Sequence, residues 1–138
     1  MRRFVALLTV VLLTACNNEV DQSTRPNSVI GTYQLRSYGG RSLPTVVSTD
    51  AGGVTEVMSG ELVIGSDNSW SETRTYRLTT AGTSQTASFV YTGSWTYERD
   101  QAYMLFNMPS LQVQFTGTAA GGSVTLSMSD GNTVIYSH

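Results

Sequence analysis

From Val29 onward, apolar residues alternate with Ser and Thr along short runs, and each run ends at a Gly, Asp, Asn or Pro cluster. Successive side chains of an extended chain point to opposite faces, so a period of two commits this sequence to half-buried β-strands. Strands are expected at 31–38, 54–65, 69–79, 85–98, 102–108, 111–118, 123–129 and 132–137, with a shorter extended piece at 43–48. Asp67-Asn68, Ala81-Gly82, Arg99-Asp100, Pro109, Gly121-Gly122 and Asp130-Gly131 supply the turn chemistry between them. No segment repeats its apolar residues at helical spacing. The fold class is therefore all-β, and about eight consecutive antiparallel strands suggest an up-and-down barrel, because closure removes the edges an open sheet must defend.

The alternation also says which side faces in. Phe89, Tyr91, Trp95 and Tyr97 share one face of their strand; Leu111, Val113 and Phe115 share another; so do Val124, Leu126 and Met128. These apolar sets belong inside, with the Ser and Thr sets outside. A membrane-spanning barrel needs the inverse, an apolar outer band around a polar lumen. On the first strand, the same parity sets Tyr33 and Tyr38 on opposite faces. Met58, Met104, Met108 and Met128 read as gap-filling core.

Ahead of the strands, Arg2 and Arg3 precede an apolar stretch from Phe4 to Leu13, followed by Thr14, Ala15 and Cys16. Charge, apolar run and small residues are the parts of a secretory signal, and the run is short of the roughly 20 residues a spanning helix needs. Leu13-Thr14-Ala15-Cys16 resembles the lipobox of bacterial lipoproteins. That resemblance implies cleavage before Cys16 and acylation of Cys16 by diacylglycerol and a further palmitate-like chain. Two or more chains anchor a protein stably where one is marginal. The expected organisation is a signal peptide over 1–15, a lipidated Cys16 with a flexible polar tether over 16–28, and a barrel domain over 29–138. By the same resemblance, and under the enterobacterial sorting rule, Asn17 rather than aspartate after the cysteine implies the outer membrane of a bacterial cell envelope.

Charge and side-chain inventory narrow the function. Setting Arg2 and Arg3 aside leaves six basic residues, all arginine, against ten acids. No basic stripe remains to hold a phosphate backbone, which argues against nucleic acid as a partner. The only cysteine is the expected lipid site, there is no lysine, and the sole histidine, His138, stands at the end, where chains commonly fray. That inventory argues against Ser-His-Asp, Cys-His and Schiff-base catalysis and against zinc, so no enzyme, metal or cofactor is expected. Glu56, Glu61 and Glu72 remain as carboxylates that a fold could bring together. Asp130-Gly131-Asn132 lacks the remaining ligands of a calcium loop and reads as a turn.

Gly31-Thr32-Tyr33-Gln34-Leu35-Arg36-Ser37, followed by Gly39-Gly40-Arg41-Ser42-Leu43-Pro44, resembles the opening of bacterial lipocalin-like domains, where Gly-x-Trp-x-Leu precedes a Leu-Pro loop. Gly60-Glu61-Leu62-Val63-Ile64, Asp67-Asn68-Ser69-Trp70, Gly93-Ser94-Trp95 and the closing hairpin around Asp130-Gly131 are similar to later parts of that pattern. Tyr33 stands where the family has tryptophan. The chain also ends Ile135-Tyr136-Ser137-His138, without the arginine that often packs over that tryptophan. The resemblance implies a barrel and, by analogy, a ligand-binding role.

One strand departs from the clean alternation. If Trp70, Tyr76 and Leu78 point inward, parity sends Glu72 and Arg74 inward with them. Buried ions cost several kcal/mol each unless well paired, so this strand marks either a satisfied pair, a rim, or a wet cavity. The candidate ligand site comprises Trp70, Tyr76, Tyr91 and Trp95 as apolar wall, with Glu72 and Arg74 as polar groups. The expected function is noncovalent binding of a small apolar or amphipathic molecule by an envelope lipoprotein. The alternative is a protein-interaction module, an envelope scaffold or an inhibitor of a secreted hydrolase, acting through loops near Leu43 to Val54 and Thr79 to Gln85. A carrier should have a cavity reached past Trp70 and Glu72; a scaffold should have a filled core.

Overall fold

The computed structural model describes residues 29–98 and 103–138. The expected signal peptide, Cys16, the tether and the Arg99-Asp100 turn lie outside these residues. The described chain forms ten strands: β1 (Gly31–Tyr38), β2 (Arg41–Ser42), β3 (Thr45–Asp50), β4 (Gly53–Ile64), β5 (Ser69–Thr80), β6 (Thr83–Glu98), β7 (Tyr103–Met108), β8 (Val113–Ala120), β9 (Ser123–Ser127) and β10 (Thr133–Ser137). All eight long strands expected from alternation fall within two residues of these bounds at both ends, and the extended piece is β3.

Each strand from β4 to β10 pairs antiparallel with the next, and β1 closes the ring by pairing with both β10 and β4. The result is an eight-stranded antiparallel up-and-down barrel. β2 and β3 lie outside the ring count. β4 is long enough to serve two partners: Glu61 to Ile64 pair with β1, whereas Gly53 to Val57 pair with β3. Likewise β5 and β6 stay paired from Ser69↔Ser94 to Thr80↔Thr83, but β7 accompanies β6 only from Ser94 to Glu98. The β3-β4-β5-β6 portion therefore rises beyond the closed barrel as a wall on one side of its mouth.

The lumen is packed. Tyr33, Leu35, Val57, Leu62, Ile64, Trp70, Trp95, Met104, Phe106, Met108, Phe115, Val124, Leu126, Val134 and Tyr136 are buried. Trp70 meets Phe106 and Phe115 edge-on at 5.8 and 5.4 Å, while those two phenyl rings stack at 5.2 Å. Gly93 lets this happen: a Cβ there would lie 1.8 Å from the Asn107 carbonyl oxygen and 2.7 Å from Trp70 Nε1.

Four expectations are corrected by irregularities that periodicity does not register. β8 starts at Val113 because Met108 and Pro109 carbonyls accept from Leu111 and Gln112 N–H groups, making a turn with Gln112 at φ 53°; Leu111 is 60% exposed rather than inward. A bulge between Leu35 and Ser37 flips the parity of β1, so Tyr38 shares the inner face with Tyr33. Phe89 keeps the inner face of β6, but where the barrel has already ended, and is 51% exposed. His138 is tied down: its ring packs 4.2 Å from that of Tyr33, Nδ1 lies 3.0 Å from the Thr32 carbonyl oxygen, and Arg36 donates to the His138 carbonyl.

Candidate functional site

β5 places Trp70, Glu72, Arg74, Tyr76 and Leu78 on the inner face in order of increasing height, since alternate residues of a strand share a side. The same register sets Tyr91 opposite Glu72 and Phe89 opposite Arg74 on β6. The candidate residues thus separate by depth.

Trp70 and Trp95 are structural. Trp70 Nε1 lies 3.1 Å from the Ser94 carbonyl oxygen and 3.2 Å from that of Asn107, and Trp95 Nε1 donates to the Gly65 carbonyl at 3.0 Å. Both rings are enclosed by the core, and neither borders the cleft at the mouth.

Above them Glu72 and Arg74 form a buried ion pair, 1% and 4% exposed. Arg74 Nε donates to Glu72 Oε1 at 2.7 Å, Arg74 Nη2 and the Tyr136 hydroxyl donate to the same oxygen, and Arg74 Nη1 donates to the Tyr76 hydroxyl at 3.2 Å. The guanidinium also sits 5.2 Å from the centre of the Tyr38 ring, a cation–π placement. Burial works against the Arg74 charge, yet the Glu72 carboxylate together with the Tyr136 and Tyr76 hydroxyls outweighs it and holds the guanidinium more firmly protonated than usual. Burial first, then the Glu72 charge, pushes the Tyr136 phenol well above the ordinary tyrosine range. The pair is matched in charge and hydrogen-bonded, so it caps the core without requiring a wet cavity. Glu56 and Glu61 are elsewhere: both face outward, where Glu56 pairs with Arg77 at 2.7 Å and Glu61 accepts from Gln34 at 2.8 Å.

Two recesses open above the ion pair, and Tyr76 belongs to both. One, of about 400 Å³, is lined by Thr55, Tyr76, Leu78, Ala87, Phe89 and Tyr91, with Gln85 and Thr86 at its rim. Here Tyr76 meets Phe89 edge-on at 5.8 Å. Burial, then the neighbouring Tyr76 phenol, holds the Tyr91 hydroxyl above its ordinary range. The other recess, of about 430 Å³, lies among Tyr38, Gly39, Arg41, Val46, Val47, Tyr76, Asp130 and Asn132. Its polar character comes from Arg41 and from the β9–β10 turn, where Asp130 accepts from the Asn132 backbone and side-chain N–H groups at 2.9 Å. Hydrogen bonding from the Asn132 side chain, then its backbone, holds the Asp130 carboxyl below the usual range.

Of the candidate residues named from sequence, Tyr76 and Tyr91 line the first recess, Glu72 and Arg74 are buried and line neither recess, and Trp70 and Trp95 lie in the core. Sequence reasoning missed Tyr38, Arg41, Leu78, Asp130 and Asn132 as residues of the mouth. Tyr38 was concealed by the bulge, and the turn residues come to the site only through barrel closure. Compared with protein-family models, with curated proteins and with solved structures, the chain matches none.

Proposed function

We propose that this chain is an envelope lipoprotein, anchored through Cys16, whose lipocalin-like barrel binds a small amphipathic molecule across its mouth. The observation that carries this reading is the junction of two recesses of unlike chemistry at Tyr76, one walled by Leu78, Phe89 and Tyr91, the other by Arg41, Asp130 and Asn132. Both volumes fall within the range of roughly 300–1,000 Å³ typical of small-molecule sites, where a few polar groups orient a ligand held mainly by apolar contact. An apolar chain or ring lies against Leu78 and Phe89, and a polar head group faces Arg41 and the β9–β10 turn. Arg74 supports the site from below through the Tyr76 hydroxyl and has no spare charge to offer, its partner being Glu72. The protein acts by binding rather than catalysis.

Titration calorimetry with a panel of fatty acids, lysolipids and aromatic acids tests the reading. At least one member should bind saturably, and Phe89→Ala should weaken it about tenfold, the equivalent of losing a little over 1 kcal/mol of apolar contact. Absence of saturable binding across the panel would sink it. The filled lumen favours a second reading, a protein-interaction module that docks an envelope protein or a secreted hydrolase on the same mouth. In that case hydrolase inhibition or a defined protein complex would be abolished by Leu78→Asp while the amphiphile panel stays silent.

A further inference from the structure

We propose that the upper half of β6 is a self-pairing edge that joins two copies of this chain into a two-fold dimer with one continuous sheet. Among the described residues, Thr83 to Thr92 are hydrogen-bonded to β5 on one side and to no strand on the other, since β7 takes up β6 only at Ser94. Natural sheets blunt such edges with charge, proline, bulges or short length. The other edge of this wall is protected in this way: β3 carries a bulge between Val46 and Ser48 and ends on Asp50. β6 has none of these devices. From Leu78 to Tyr97 the sequence contains no charged residue and no proline. Both faces of the strand carry an exposed apolar side chain at the same height, Phe89 at 51% and Val90 at 65%. A ligand in the cleft would cover Phe89 alone, whereas a neighbouring strand covers both.

The occupant is a second copy because β6 complements itself. Antiparallel pairing about a two-fold axis at Ser88 places Ser84 against Thr92 of the other copy, Gln85 against Tyr91, Thr86 against Val90 and Ala87 against Phe89. Each large side chain then meets a smaller one, no charge meets itself, and the two clefts face the same side of the joined sheet. The nine residues per copy, Ser84 to Thr92, use the free edge almost completely. That is well below the roughly 20–30 residues a side of a standard interface, so the dimer should be of micromolar affinity rather than obligate.

Two measurements on the full chain test this. Sedimentation over about 1–500 µM should show a concentration-dependent dimer that Val90→Lys weakens at least about tenfold, by putting a charge beside Thr86 of the other copy. Separately, Ser88→Cys should form an intermolecular disulfide at least about tenfold faster than Thr83→Cys. Opposed residues have Cα atoms about 4.5–5.5 Å apart, within disulfide reach, whereas Thr83 and its counterpart would be roughly 30 Å apart. The unsubstituted protein, whose one cysteine is Cys16, gives the background. A monomer throughout the range, a dimer indifferent to Val90→Lys, or equal disulfide rates at the two positions would each overturn the proposal. So would a chain that stays monomeric and instead captures an extended peptide or a lipid vesicle on β6.

Discussion

Glu72 and Arg74 stand two residues apart on β5, and the period of two sends both into the barrel with Trp70. What makes that burial tolerable is Tyr136, 64 residues further on, whose hydroxyl reaches the same carboxylate oxygen as Arg74. The inward direction was legible in the sequence because parity is local. The partner was not, because it arrives from β10 across the lumen. Removing one ion strands the other in a dry site, so Arg74→Met should lower stability by about 3–5 kcal/mol, while Glu72→Leu combined with Arg74→Met should recover most of the loss. Urea denaturation midpoints of the single and double variants check this; a double variant no more stable than Arg74→Met would show that the pair itself, rather than its balance, sustains the mouth.

At the scale of elements, hairpin chemistry was the most legible part of the chain. Ala81-Gly82 and Gly121-Gly122 each join their strands with two residues at positive φ, 49° and 81° in the first, 57° and 76° in the second. Such a turn matches the twist of the strands it connects and favours glycine at both positions. Ala81 carries a Cβ in a left-handed conformation that costs roughly 1–2 kcal/mol. Ala81→Gly should therefore raise stability, by about 0.5–1 kcal/mol after glycine's greater freedom in the unfolded chain is set against the relief. A thermal midpoint that moves down would contradict this conformation for the hairpin. Bulges were the illegible part. Nothing between Leu35 and Ser37 marks the extra residue, yet it moves Tyr38 from the outer face to a position over Arg74. Similarly, Leu111 continues the apolar alternation perfectly well and lies instead in a turn, because the backbone at Gln112 turns left-handed.

For the whole molecule, closure decides what the mouth contains. β1 meets β10 and β4 only when the ring shuts, and this brings Tyr38 and the Asp130–Asn132 turn to the residues of β5. Tyr136 reports on the shut state, since its phenol is raised by burial and by Glu72 in the folded barrel alone. A group whose folded pKa is raised contributes stability that is complete below its unfolded pKa, about 10 for tyrosine, and is lost as pH rises toward the folded value. Above pH 10 the unfolding free energy of the protein should thus fall more steeply than that of Tyr136→Phe, by about 1.4 kcal/mol per pH unit. Urea titrations of both at several pH values measure the difference, and parallel slopes would remove Tyr136 from the network.

By itself the sequence determined the class of fold, the strand order of a meander, the inward faces of the regular strands and the inward turn of Glu72 and Arg74. All of these follow from nearest-neighbour geometry along one chain: period two and turn residues. Tertiary structure alone decided that the lumen is filled to the level of the ion pair, that Trp70 and Trp95 belong to the core, and that the two recesses large enough for a ligand lie above at Tyr76. Strand tilt, bulges and the unequal lengths of β4, β5 and β6 set those depths. They depend on how eight strands close around one another, a property that no single run of residues carries.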